Sequence, residues 1–197
     1  MSSLAPSRIR FSVDEYYRMV EVGILQPTDR VELLDGEVFH MSPIGSRHAA
    51  CVDRLLAAFS AGLVSKPAQD RPTIRCQSPV RLDQTTEPEP DLALLRPRSD
   101  YYAEAHPGPS DVLLVVEVAD SSLGFDRAVK LPLYARAGIT EVWIIDVEER
   151  QIQVYRDPSE HAFGNEPYAQ RKSFGAGQTI DVASVPGLEL RVDQLLA

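Results

Sequence analysis

The sequence predicts an α/β fold, one domain over residues 1–197 in which helices flank a mixed β-sheet, preceded by an N-terminal helix and a β-hairpin. Three observations point there. The run Val112–Val116 is wholly apolar and closed by Glu117, as in a central strand covered on both faces. A helical stretch and a second β-rich run, EVWIIDV, follow it at the spacing of a right-handed parallel crossover. Upstream, two short runs flank Asp35-Gly36, the strongest two-residue hairpin signal.

A chain of 197 residues can build one core. Its 44% hydrophobic and 25% charged content excludes a disordered or fibrous class. The longest apolar run is about a quarter of what a bilayer-spanning helix needs. The opening MSSLAPSRIRFSVDEYY has no apolar signal stretch, so a cytoplasmic location is expected. Cys51 and Cys76 stand far apart, without a CxxC pair or a nearby histidine pair, and read as free thiols. The formal charge of -9 opposes passive attraction to nucleic acid. A nucleic-acid enzyme of this composition must concentrate positive charge locally or neutralise its acids with metal ions.

From Ser12, SVDEYYRMVEVG predicts an outer helix or lid with Ser12 as N-cap, Glu15 completing a capping box and Gly23 as the stop. The hairpin RVELLDGEVFHM follows. Ser46 is placed to cap a longer helix reaching about Val64, whose Ala49, Val52, Leu55, Leu56, Phe59 and Leu63 recur at helical spacing. Strands are predicted near Thr73–Leu82, Asp91–Leu95 and Asp111–Val118, separated by Pro-rich and acidic turns. A helix from about Phe125 to Ala137 ends at Gly138, and Pro132 inside it predicts a kink. After Asp146, RQIQVYRD reads as a hairpin partner, Tyr168–Ile180 as a further β pair, and VDQLLA as a terminal helical turn.

Three polar residues stand out against this apolar frame: Asp91 in EPDLALL, Glu117 in VLLVVEVADSS and Lys130 in DRAVKLPLYARAGI. If strands 91–95 and 111–118 pair antiparallel, the start of one lies beside the end of the other, and Asp91 and Glu117 share one end of the sheet. The crossover helix begins at that end. Lys130 lies about five residues inside it, roughly 7–8 Å along the axis, and helical side chains lean toward the N-terminus. Two carboxylates and a lysine so placed suit phosphodiester cleavage with Mg²⁺ or Mn²⁺ held by Asp91 and Glu117. Lys130 would orient or deprotonate the attacking water, or neutralise phosphate charge. Taken singly, Glu117 reads more readily as a strand-end acid paired with Lys130 or Arg127, and Asp91 as a turn residue after Pro90; it is the triple that points to chemistry. Asp126 and Tyr134, four residues either side of Lys130, read as a surface ion pair and a packed tyrosine, or as groups that orient the lysine. Trp143 and Asp146 read as core and strand end.

ELLDGE at Glu32–Glu37, His48, Pro90-Asp91, EVADSS from Glu117, DRAVKLPLYARAGI from Asp126 and VWIIDV from Val142 together resemble the Uma-two family of the PD-(D/E)XK nuclease superfamily. The resemblance runs from Arg30 to Asp146 and implies a restriction-endonuclease-like core, divalent-metal chemistry, DNA as substrate and a homodimer. Asp91 matches the first acid and Glu117 the second. Where the superfamily pattern puts lysine this chain has Ala119, and Lys130 matches the lysine the family carries on the following helix. Glu37 and His48 match positions near the site, with Glu32 an equal contender to Glu37. No Gly-rich phosphate loop, GxSxG elbow or HExxH occurs in the sequence. The reading is a Mg²⁺- or Mn²⁺-dependent endonuclease with Asp91, Glu117 and Lys130 as its reactive centre. Its rivals are a catalytically inactive binding or regulatory module of the same fold and an acidic protein-interaction domain.

Overall fold

The structure, a computed structural model, describes residues 8–26, 28–159 and 166–196. Helix α1 (Val13–Glu21) carries the expected capping box, with Ser12 Oγ accepting from the Glu15 N–H and the Glu15 carboxylate accepting from the Ser12 N–H. Strands β1 (Val31–Leu34) and β2 (Glu37–His40) form the hairpin. Asp35 and Gly36 both have positive φ, 50° and 77°, the conformation a two-residue primed turn requires. A Cβ on Gly36 would lie 2.5 Å from the Arg10 Cβ, so the turn needs glycine for space as well as for φ.

Helix α2 (Ser46–Leu63) begins one residue earlier than a Ser46 cap requires: Gly45 is the N-cap and no side chain caps it. Its buried stripe, Cys51, Val52, Leu55, Phe59 and Leu63, packs on one face of a six-stranded sheet. That sheet runs β3 (Thr73–Cys76), β4 (Leu92–Leu95), β5 (Val112–Ala119), β6 (Glu141–Asp146), β7 (Gln151–Pro158) and β8 (Tyr168–Phe174) in spatial order. Only β5 and β6 are parallel; the other neighbours are antiparallel. β3 stops short of Leu82 because Gln77 turns into the left-handed region at φ 46°. Val80 and Leu82 are still buried, as loop residues.

The crossover from β5 to β6 is α3 (Leu123–Phe125), a wide π-helical turn at Asp126–Lys130 and α4 (Leu131–Arg136), closed by Gly138 at φ 77°. The expected effect of Pro132 takes this form. An inserted residue widens the turn, so that the Leu131 N–H reaches the carbonyl of Asp126, and the proline sits in the first turn of α4. This crossover covers the second face of the sheet, where Leu131 and Tyr134 pack with Ala93, Leu95 and Val115. β9 (Thr179–Asp181), β10 (Glu189–Arg191) and α5 (Val192–Leu195) join α2 on the first face.

Candidate functional site

β4 and β5 pair antiparallel with Leu92 opposite Val116, which brings Asp91 level with the end of β5. Asp91 Oδ2 accepts from the Val118 N–H at 2.8 Å, and Oδ1 lies 3.0 Å from Nε2 of His48 in the first turn of α2. His48 Nδ1 is buried and, among the described residues, unpartnered. The hydrogen bond to Asp91 raises the His48 pKa against the effect of burial.

Along β5 the side chains alternate: Val116 and Val118 face α2, whereas Val115, Glu117 and Ala119 face the crossover. Ala119 adds no length on that face, and the lysine comes from across the cleft. The wide turn presents Lys130 inward, with Nζ 3.3 Å from Glu117 Oε1 and 3.1 Å from Glu32 Oε2. Tyr134, fully buried on α4, donates its hydroxyl to Glu117 Oε1 at 2.5 Å. Glu32 Oε2 also accepts from the Glu89 N–H at 3.1 Å, and Asp126 Oδ2 accepts from Ser122 Oγ at 2.6 Å.

The electrostatics are lopsided. Burial, reinforced by Asp126, Asp91 and Glu32, outweighs Lys130 and pushes the Glu117 carboxyl up to about 8. Burial acts against the Lys130 ammonium, yet Glu117, Glu32 and Asp126 outweigh it and the shift is upward. Asp126 and the half-buried Glu89 are raised, each mainly by burial. Glu32, Glu117, Asp126 and Asp91 thus crowd one buried ammonium and one imidazole. A surplus of carboxylates in a low-dielectric cleft is costly unless a cation joins them. Among the described residues no three His, Cys, Asp or Glu side chains form a preformed cage. A Mg²⁺-like ion, which keeps several waters, needs only one or two carboxylates.

Asp91, Glu117, Lys130 and His48 therefore line one cleft of about 360 Å³, together with Glu32 and Asp126. Glu37 does not. In the β1–β2 register Glu37 faces Leu34, and its carboxylate points out to Arg8 at 3.2 Å. Glu32 shares that face of the hairpin but lies at the far end of β1 from the turn, where it is 3% exposed and lines the cleft. Asp126 is buried and not a surface ion pair, and Tyr134 bonds the acid and not the lysine. The four-residue spacing about Lys130 was the available signal for both. Cys51 and Cys76 are free, and burial pushes the Cys51 thiol up to about 11. Trp143 is core, and Asp146 ends β6.

Residues 13–193 match the family model Uma2, described as "putative restriction endonuclease". No curated protein matches the chain. Among solved structures, a putative nuclease belonging to DUF820 from Anabaena variabilis superposes with a TM-score of 0.70 at 16% identity, covering 94% of this chain and 97% of its own. At that identity the likeness establishes the fold, a mixed sheet flanked by helices.

Proposed function

The chain belongs to the Uma2 family of putative restriction endonucleases, and on that premise we propose that it is a Mg²⁺- or Mn²⁺-dependent endonuclease hydrolysing phosphodiester bonds in DNA. The observation that carries this reading is the single buried ammonium of Lys130 among Glu117, Glu32 and Asp126 at the end of β5. Asp91 and Glu117 would hold the metal. When bound, a divalent ion supplies Lewis-acid stabilisation of phosphate oxygens and lowers the pKa of water.

The remaining work falls to the chain's own groups. Lys130, whose ammonium is favoured by Glu117, Glu32 and Asp126, acts as a point charge on the phosphate, and the upward direction of its pKa supports that role over that of a base. Glu32 fixes the ammonium through a second carboxylate contact, and Tyr134 fixes the orientation of Glu117 through its hydroxyl. His48 and the Val118 N–H hold Asp91 at its two oxygens. Homodimerisation, which the family resemblance implies, and a cytoplasmic location complete the reading. Among the described residues no helix is long and apolar enough to cross a membrane.

The test is conversion of supercoiled plasmid to nicked and linear forms with Mg²⁺ or Mn²⁺. EDTA should stop it, and Asp91→Ala should be inactive. A wild type that cuts neither single- nor double-stranded DNA with either ion refutes the reading and favours a binding module of the same fold.

A further inference from the structure

The formal charge of -9 leaves one question open for a nucleic-acid enzyme, namely where a polyanion would be held. Beside the cleft lies a second groove of about 370 Å³, between α2 and the turn joining β6 to β7. Arg47 and Arg54 contribute from α2, Arg150 from the turn, and Leu195 and Leu196 form its apolar wall. We propose that this groove binds the phosphate backbone of the DNA strand flanking the bond held in the cleft. The inference rests on the nuclease reading and adds where the strand runs.

Several features support it. Neither Arg54 nor Arg150 makes a side-chain hydrogen bond or ion pair with another described residue, whereas Arg30, Arg75, Arg81, Arg98 and Arg156 all do. Arginines left without a protein partner in an acidic chain are available to an external anion, and the planar guanidinium matches phosphate geometry. Arg47 and Arg54 are seven residues apart on one face of α2, about 10.5 Å along the axis, or about three steps of B-DNA at 3.4 Å each. The first turn of α2 has no acidic side chain to oppose an anion.

The groove also adjoins the cleft through one ion pair. Arg47 Nη2 lies 2.7 Å from Oδ1 of Asp120, and Asp120 lines the cleft with Asp91 and Glu117. Arg150 is held by the backbone, with φ at 52°, in a turn tied by the Glu149 N–H donating to Asp146 Oδ1 at 3.0 Å. Among the described residues Glu148 is the one carboxylate lining the groove, so Arg54 and Arg150 leave its lining net positive.

The experiment compares wild type with Arg54→Glu/Arg150→Glu in two assays, after matching their thermal melts. Fluorescence anisotropy with a labelled 20-base-pair duplex, in Ca²⁺ or EDTA, reads binding without cleavage. Hydrolysis of bis(p-nitrophenyl) phosphate, a diester too small to reach the groove, reads the cleft alone. The charge-reversed variant should bind the duplex at least about tenfold more weakly at 0.1 M salt. Its salt slope should drop by about two, at about 0.9 for each phosphate that is no longer neutralised. Small-diester hydrolysis should be unchanged, and Arg54→Lys/Arg150→Lys should retain most of the binding. Equal duplex affinity in wild type and the reversed variant, or no duplex binding by wild type, overturns the groove. Loss of small-diester hydrolysis in the variant overturns it too, because the arginines would then act through the cleft. Failure of wild type to hydrolyse the small diester and to nick plasmid DNA sinks the nuclease reading instead, and the anisotropy arms still decide the groove.

Discussion

Two buried glutamates on adjacent strands meet opposite fates. Glu141, 1% exposed at the start of β6, has its charge fully met. Arg156 donates to its Oε1 through Nε at 3.0 Å and Nη2 at 2.8 Å, Trp143 Nε1 donates to the same oxygen at 2.9 Å, and the Ala183 N–H donates to Oε2 at 2.9 Å. Glu117, 3% exposed near the end of β5, has one lysine shared with Glu32 and one hydroxyl. The first carboxylate joins β6, β7 and the segment before β10. The second is left short of positive charge, and its pKa rises to about 8. Both side chains are almost wholly buried, so what separates a structural acid from a cation-seeking one is the balance of charge around it.

The largest effects should come from breaking each side of that contrast. Glu141→Ala leaves Arg156 with Asp181 as its remaining carboxylate and removes the acceptor of Trp143 Nε1 and the Ala183 N–H, and should lower unfolding stability by about 3 kcal/mol. Glu117→Gln replaces a carboxyl already disposed to carry a proton and should change metal-free stability by less than about 1 kcal/mol. Urea titrations of both variants check this, and comparable losses would erase the distinction. On the functional side, Lys130→Ala should cut plasmid nicking by about 100-fold or more while metal binding persists, because the ammonium acts on phosphate charge and the carboxylates hold the ion. Lys130→Arg should rescue poorly, since its fork places donors differently. Full activity in Lys130→Ala would remove the lysine from the reactive centre.

Most of the frame was readable because strands and helices here follow their periodicities. Residues 112–118 read as a buried central strand and formed one, and Asp35-Gly36 turned where a two-residue hairpin must. What escaped depends on one-residue shifts. A π-helical turn differs from an α-helical one by a single inserted residue, too little to disturb the apolar pattern of DRAVKLPLYARAGI, so only Pro132 hinted at irregularity. Glu32 and Glu37 lie on either side of the turn and on the same face of the hairpin, and only their distance from the turn, fixed by the register, separates them. The bond from Tyr134 to Glu117 joins residues 17 apart across the sheet and helix, a contact no local pattern encodes.

A smaller effect sharpens the comparison by ligand. A cation bound by the folded state alone adds stability by mass action, about 2.7 kcal/mol at a concentration 100-fold above its Kd. Mg²⁺ should therefore raise the melting temperature of wild type and of Arg54→Glu, and leave Asp91→Ala unmoved. Differential scanning fluorimetry reads the shift. A rise of equal size in Asp91→Ala would place the ion elsewhere.

The smallest effect is the most specific, because it reads the proton on Glu117. The groups facing that carboxyl are Glu32 from β1, Asp91 from before β4, Asp126 and Lys130 from the wide turn, and Tyr134 from α4. Its folded pKa lies above the ordinary carboxylate value, so between that value and about 8 the folded chain holds a proton the unfolded chain has released. Without metal, this contribution to stability is complete below the ordinary value and is lost as pH rises toward about 8, with a slope of at most about 1.4 kcal/mol per pH unit. Asp126, Glu89 and His48 are shifted in the same direction and add to the same sign. Metal reverses the trend, because the ion must displace the Glu117 proton, and its apparent affinity should fall about tenfold for each pH unit below about 8. The Mg²⁺-induced rise in melting temperature should therefore be larger at pH 8.5 than at pH 6, while the metal-free protein melts lower at pH 8.5. In Glu117→Gln the pH dependence of the Mg²⁺ increment should flatten. An increment in wild type that stays constant or shrinks between pH 6 and 8.5 would show that Glu117 does not exchange its proton for the ion.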